Sequence, residues 1–407
     1  MTITVAVNGF PGDEAKAILW LLSPYKIQPA TNLDESDIII SKEPLDCSTP
    51  LIRTQTNPSG ADHNHPRSCG DKIFEIPMEL ITACSNRFQA VMHPRIALSY
   101  RLATSLPFQY NIIPPPIRNW FLRRHEIDFT LANHIENELA RRTLAEAFSL
   151  LGFSLEMRRA PSLTITHDVE TKKGLEKALA LKTVEDDLNI HSTWFLPSDE
   201  YPIHKQIAKE LGNDATIGSH DIKHDGRLVH LHRRKDLIKR LRHSRVKLET
   251  IFEKSIHCFR SPLLQFNEEI ISALGEAGYE SDFSLPCWDP VHPTTAGGFG
   301  IHSLHSFKIG SISETPLTLI QDHQILSILR MTPEDAAEFL IDQAKLIHSY
   351  DGDTVLLVHP DYAFSRDLKA YKKLLNSLKE IQESPPIDRN SQPSQIRTLL
   401  SIASSGS

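Results

Sequence analysis

The chain has few cysteines and arranges them in no pattern. Cys47, Cys69, Cys84, Cys258 and Cys287 are odd in number, widely scattered and contain no C-x-x-C pair. That excludes a disulfide framework and fits a reducing compartment, so a cytoplasmic protein is expected. A basic excess is also missing: 44 Lys and Arg stand against 51 Asp and Glu, for a formal net charge of −7. Nucleic-acid binders usually leave a basic footprint, so that class is set aside. Long apolar runs are absent too, each ending at a charge or proline well short of the ~20 residues that span a bilayer, and no transmembrane segment is expected. The opening MTITVAVNGFPGDEAKAILWLL has no basic leading region and places Asp13, Glu14 and Lys16 where a signal peptide needs unbroken apolar sequence. Export by that route is not expected. Val7–Gly12 contains glycine but no phosphate-binding fingerprint.

What is present suits an ordinary globular protein. The 407 residues, 40% hydrophobic and 23% charged, supply enough apolar material for two domains. Ile3–Val7, Asp13–Leu22 and Asp37–Ile40 read as β-α-β, so residues 1–115 are assigned to a smaller N-terminal α/β accessory domain. Residues 54–71, rich in Pro, Gly, Asn, Asp and His, and the three prolines ending at Pro116 read as loops or linkers. His63, His65, Cys69 and Cys84 fit no standard metal spacing and are read with that loop. Leu131, Ile135, Leu139 and Leu144 recur at helical spacing, and residues 116–160 are assigned to a helical connection. From Pro161 on, the apolar runs 163–166, 192–196, 215–219, 256–260 and 354–358 alternate with helical segments, which predicts a parallel sheet or barrel over 161–385. Asn267 and Thr332-Pro333 mark helix starts, and Gly278 a helix end. The Ser-, Pro- and Gln-rich tail, 386–407, is expected to fray.

In such folds ligands bind at the carboxyl ends of the strands. The polar residues gather there. The first run ends in Thr166-His167-Asp168-Val169-Glu170, the third in Ser219-His220-Asp221-Ile222-Lys223-His224, the fourth in Arg260-Ser261-Pro262 and the last in His359-Pro360. Asp168 and Glu170, two apart in extended chain, project to one side, and two facing carboxylates repel unless a cation lies between them. His220 and His224 share a face if their segment is helical. One carboxylate with two imidazoles makes a three-ligand site that leaves room for water, the open form of catalytic zinc. Arg227 to Lys247 carries nine Lys or Arg against Asp236. That segment reads as a solvated outer helix, with attraction to a phosphate-bearing substrate or an anionic membrane surface as the alternative.

With those positions in hand, residues 161–385 resemble the polysaccharide deacetylase family, the NodB-homology carbohydrate esterases. The resemblance rests on Thr166–Glu170, His220–His224, Arg260-Ser261-Pro262, AGYESDFSL around Asp282, and LLVHP ending at His359 and Pro360. It implies a distorted parallel β/α barrel of the NodB type. It also implies a metal-dependent hydrolase that removes N-acetyl groups from a sugar or glycan precursor. Glu170, His220 and His224 would hold a divalent metal ion, zinc first among them. Asp168 would be the general base, His359 the general acid, Arg260 the residue that keeps Asp168 ionised, and Asp282 a partner of Arg260 or His359. Val169 stands where many members carry a second aspartate, so in the alternative Asp168 binds the metal and no separate base exists. Two competing readings are a metal-dependent amidase on a small linear or cyclic amide, and a catalytically silent glycan-binding barrel.

Overall fold

The computed structural model describes residues 2–45, 47–55, 66–70, 72–97, 100, 127–231, 233–295 and 298–385. The chain divides into two units. The first comprises Met1–Val91, Ile135–Ala160 and Ile301–Ser303, and the second Met92–His134, Pro161–Gly300 and Leu304–Ser407.

In the first unit, strands β1 (Ile3–Asn8), β2 (Ile27–Pro29), β3 (Ile38–Ser41), β4 (Leu51–Gln55), β5 (Arg67–Gly70) and β6 (Ile73–Pro77) form one sheet in the order β2-β1-β3-β4-β6-β5. Only the β5–β6 pair is antiparallel. Ile38, Ile39 and Ile40 are all buried, as the unbroken apolar run of a parallel strand covered on both faces requires. Helices α1 (Gly12–Leu22), α2 (Met78–Met92) and α3 (Glu136–Leu150) complete it. Two details depart from the sequence reading. Residues 67–70 are a strand rather than loop, because β6 offers them an antiparallel edge that local composition does not announce. Helix α3 is part of this unit rather than a connection. Its buried Arg141 donates Nε to the Leu21 carbonyl at 2.8 Å and its other nitrogens to Glu138 and Ser303, which satisfies a cation inside the core. The prolines ending at Pro116, with His63 and His65, and the tail from residue 386 lie outside the described residues.

The second unit alternates strand and helix: β7 (Leu163–Asp168), α4 (Lys172–Asp187), β8 (Ser192–Leu196), α5 (Lys205–Gly212), β9 (Thr216–Ser219), α6 (Arg234–Phe252), β10 (Cys258–Phe259), α7 (Glu268–Ala277) and β11 (Ser281–Asp282). Then come β12 (Phe307–Ile309), β13 (Ile312–Glu314), α8 (Asp322–Ser327), α9 (Pro333–Ser349), β14 (Thr354–Leu357) and α10 (Leu368–Glu383). The sheet order is β12-β13-β11-β10-β9-β8-β7-β14, parallel except for β12 against β13. Beyond β13 the chain continues irregularly alongside β11, with Leu317 N–H donating to Leu285 O at 2.9 Å. Leu319 N–H then donates to Val355 O of β14 at 3.2 Å. The parallel strands thus curl round and meet, a β/α barrel whose distortion lies in the 315–319 segment.

Local chemistry accounts for the helix ends. The Asn267 side chain accepts from Ile270 N–H at 2.8 Å and α7 stops at Gly278, whose φ of +91° a side chain would resist. Thr332 caps α9 by accepting from Asp335 N–H at 3.2 Å, with Pro333 at the first helical position. The basic segment is α6, with Leu237, Leu241 and Leu248 inward. Much of its charge is matched: Arg240 pairs with Asp221 and Asp225, Lys247 with Asp199, and Arg234 with Glu269 and Glu276.

Strand alternation turns His167 outward and Asp168 inward. His167 lies between Val358 O at 2.9 Å and Glu185 Oε1 at 2.7 Å, stacked on Trp194. Glu185 also accepts from Ser192 and Tyr371 at 2.5 Å each. This buried carboxylate therefore fixes the back of the strand that carries Asp168. Glu185→Ala strands three polar groups in the core and is expected to lower the unfolding free energy by about 3–5 kcal/mol, measured by urea titration. A change within about 0.5 kcal/mol would contradict the role given to Glu185.

Candidate active site

Asp168 ends β7, His220 follows β9, Arg260 follows β10 and His359 stands two residues beyond β14, so all four rise from the carboxyl ends of parallel strands. Arg260 is buried and fully directed: Nε donates to Phe283 O at 2.9 Å, and Nη1 to Thr166 Oγ1 at 2.9 Å and Asp168 Oδ1 at 3.1 Å. Its guanidinium lies 4.6 Å above the Phe195 ring. Burial alone would raise the Asp168 carboxyl. Arg260, with His220 and His359 behind it, outweighs that and holds it below the usual range, so Asp168 is ionised.

The second cluster is Glu170, His220 and His224, whose ligand atoms all lie within 4.8 Å of one another. His220 Nδ1 faces the Arg260 carbonyl at 2.9 Å. A carbonyl can only accept, so Nδ1 carries the proton and the Nε2 lone pair points into the site. Burial pushes this imidazole down to about 4, which keeps it neutral. His220 Nε2 and His224 Nε2 are buried and have no hydrogen-bond partner among the described residues. Glu170 Oε1 is 2.9 Å from His224 Nε2, and this carboxylate raises the His224 imidazole against the effect of burial. Burial would raise the Glu170 carboxyl, but His224, His359 and His220 together hold it far below its ordinary value. An anionic oxygen and two imidazole nitrogens, that of His220 without a hydrogen-bond partner among the described residues, converge on one point, and this donor set fits a divalent cation. The segment holding the histidines is not helical: it is a bend after β9, with Asp221 at φ +64°. Arg240 grips Asp221 through both carboxylate oxygens, Ser198 N–H and Ser244 Oγ donate to its carbonyl, and the bend rather than a helix face brings the imidazoles together. Glu200 steadies the far end by accepting from His224 N–H at 3.2 Å.

His359 faces the same point from the other side, with Nε2 at 3.7 Å from Glu170 Oε1. Its Nδ1 is 2.6 Å from Asp322 Oδ1, and its backbone N–H donates to Asp322 Oδ2 at 2.9 Å. Burial would push the imidazole down, but Asp322, then Glu170 and Asp168, raise it to about 9, so it is protonated at neutral pH. Asp282, by contrast, makes no hydrogen bond or ion pair with Arg260 or His359 among the described residues. It accepts from Ser284 Oγ at 2.6 Å and hydrogen-bonds to Glu314 on the neighbouring strand. The expected partnership of Asp282 with Arg260 or His359 is therefore corrected: β11 holds it inside the barrel, and Asp322 serves His359. Asp322 carries a signal in the sequence, since Leu317–Ile320 is another apolar run that ends in polar residues, Gln321-Asp322-His323. Val169 is fully buried, with its N–H on Phe195 O at 3.0 Å, and presents no ligand.

Residues 158–281 match the family model described as Polysaccharide deacetylase. The match takes in Asp168, Glu170, His220, His224 and Arg260 and stops short of Asp282, Asp322 and His359. No curated protein matches the chain. Among solved structures it is similar to a Mycobacterium smegmatis protein assigned to the polysaccharide deacetylases, at 17% identity over 56% of this chain and 86% of that one, with a TM-score of 0.43. It is similar also to the chitin deacetylase of Colletotrichum lindemuthianum, at 14% identity over 55% and 84%, TM-score 0.39. A third is a pseudoenzyme of carbohydrate esterase family 4 from Bacillus anthracis, at 13% identity over 56% and 68%, TM-score 0.36. The family match thus lies within residues 158–281, and the polysaccharide deacetylases it describes are hydrolases of the N-acetyl amide bond that generally use a divalent metal ion.

Proposed function

We propose that this chain is a metal-dependent hydrolase that removes N-acetyl groups from a sugar or glycan precursor. One juxtaposition carries the reading: an ionised carboxylate held by an arginine, a three-ligand cluster and a protonated histidine face one another at the mouth of the barrel. Glu170, His220 and His224 would hold the cation, and two imidazoles with one carboxylate favour zinc. A divalent ion bound there supplies a polarised amide carbonyl and an acidified water. Asp168, kept ionised and oriented by Arg260, takes the proton of the attacking water as general base. His359, kept protonated by Asp322, gives a proton to the departing amine nitrogen, which is otherwise a very poor leaving group. Five cysteines, none of them in a disulfide, support a reducing, cytoplasmic setting.

The test is acetate release from N-acetylglucosamine and its oligomers. Turnover that a chelator abolishes and added zinc restores is the expected result. Acetate release unaffected by chelation contradicts the metal assignment, and a metal-loaded protein that cleaves only small cyclic or linear amides points to the amidase reading.

A further inference from the structure

Strands β7 and β14 pair in parallel register as far as Thr166 and Leu357. Past those ends one chain carries Glu170 and the other His359, and the two segments are joined again by side chains that the reaction above does not use. Thr171, exposed at the rim, caps α4: its Oγ1 accepts from Gly174 N–H at 3.0 Å. The same hydroxyl donates to Asp361 Oδ1 at 2.5 Å, across 190 residues of chain. A hydroxyl has one proton to give, so the direction of this relay is fixed, from helix amide to threonine and from threonine to carboxylate. Asp361 is half-buried, and its other oxygen, Oδ2, is enclosed without a hydrogen-bond partner among the described residues. That oxygen lies against Gly174. A Cβ there would stand 2.4 Å from Asp361 Oδ2 and 3.0 Å from its Cγ, so glycine alone leaves room for the carboxylate. The first turn of α4 also turns its positive end toward this charge.

Asp361 is tied as closely to His359. Tyr362 N–H donates to His359 O at 3.1 Å and closes a turn with Pro360 at its second position, where the ring fixes the backbone. On the other side Thr171 directly follows Glu170, and the Val169 carbonyl before it accepts from the Tyr201 hydroxyl. Glu170 Oε1 and His359 Nε2 stand 3.7 Å apart between these two anchors. We propose that Thr171, Asp361 and Gly174 form a clasp that positions His359 for proton delivery to the departing nitrogen. Its catalytic role rests on the functional reading above. An acid works only within hydrogen-bond reach of the atom it protonates, so a His359 turn released from the Glu170 segment loses that reach. The bend that carries His220 and His224 is held separately, by Arg240 on Asp221, and does not depend on the clasp.

Thr171→Val keeps the shape of the side chain and removes the hydroxyl. Two substrates read the result: an N-acetylated sugar, whose nitrogen must be protonated to leave, and nitrophenyl acetate, whose phenolate leaves without a proton. On the amide, kcat is expected to fall about tenfold at unchanged KM and metal content, the weight of one hydrogen bond to a charged group. On the ester, turnover should stay within about twofold of the wild type. Thr171→Ser should restore the amide rate. Gly174→Ala should reproduce the loss by expelling the carboxylate, and adding it to Asp361→Ala should cost nothing further, because it acts through Asp361. Amide hydrogen exchange reads the clasp without turnover: Thr171→Val should speed exchange both in residues 169–175 and in residues 359–362. Equal losses on amide and ester, no rescue by serine, or exchange altered only beside position 171 overturns the proposal. A wild type that releases acetate from neither substrate, while Thr171→Val speeds exchange in both segments, defeats the functional reading and leaves the clasp standing.

Discussion

Replacing Asp168 with asparagine is expected to lower kcat by about 10²–10⁴-fold while the bound metal is retained, because the residue removed is the base and not a ligand. The geometry argues for that division of labour. Asp168 Oδ1 is committed to Arg260, and its Oδ2 stands 4.0 Å from His220 Nε2, whereas Glu170 lies 2.9 Å from His224. Substituted ligands should behave differently, losing metal and activity together. Metal analysis alongside kinetics separates the outcomes, and loss of metal in Asp168→Asn would exchange the roles of Asp168 and Glu170. Arg260→Lys should fall between the two. A lysine cannot reach Phe283 O, Thr166 and Asp168 in one fork, so orientation of the base suffers while the metal stays.

Asp322→Asn is expected to have the second largest effect, and mainly at alkaline pH. His359 must carry its proton to act as an acid, and that proton is lost as the pH rises through about 9. Without the Asp322 charge, burial acts on the imidazole opposed only by Glu170 and Asp168, and the alkaline limb of kcat/KM should move down by about two pH units. Near pH 8 this amounts to a loss of about tenfold, which shrinks in more acidic buffer. An alkaline limb that does not move would remove His359 from the reaction. The sign also holds for the fold: a His359 raised from 6.5 to about 9 stabilises the native state fully below pH 6.5, and that contribution fades as the pH rises through about 9.

The sequence makes some of this legible and hides the rest for physical reasons. Strand ends are readable because a β-branched run followed by charge leaves a local trace, and Asp168, His220, Arg260 and His359 all follow such runs. The pairing of His220 with His224 shows in their spacing, but its cause does not. A helix would have served equally well on paper, and the bend depends on Arg240 from a distant helix reaching Asp221. Asp322 and Glu314 act across 37 and 32 residues of chain, on His359 and Asp282 respectively. Only the curl of the barrel brings such residues together, so no local spacing announces these pairings, although Asp322 itself follows an apolar run. Helix α3 resembles a linker for a related reason, since its buried polar residues, Asn137, Glu138, Arg141 and Thr143, disguise the face that packs. Residues 67–70 look like loop because an edge strand takes its identity from the strand it joins.

The central claim is that one divalent ion binds at Glu170, His220 and His224, and elemental analysis of the purified, metal-reconstituted chain addresses it most directly. One ion per chain in the wild type is expected, falling below about a tenth of that in folded Glu170→Ala, His220→Ala and His224→Ala variants. A wild type that takes up no ion, or three variants that keep theirs, would contradict the account.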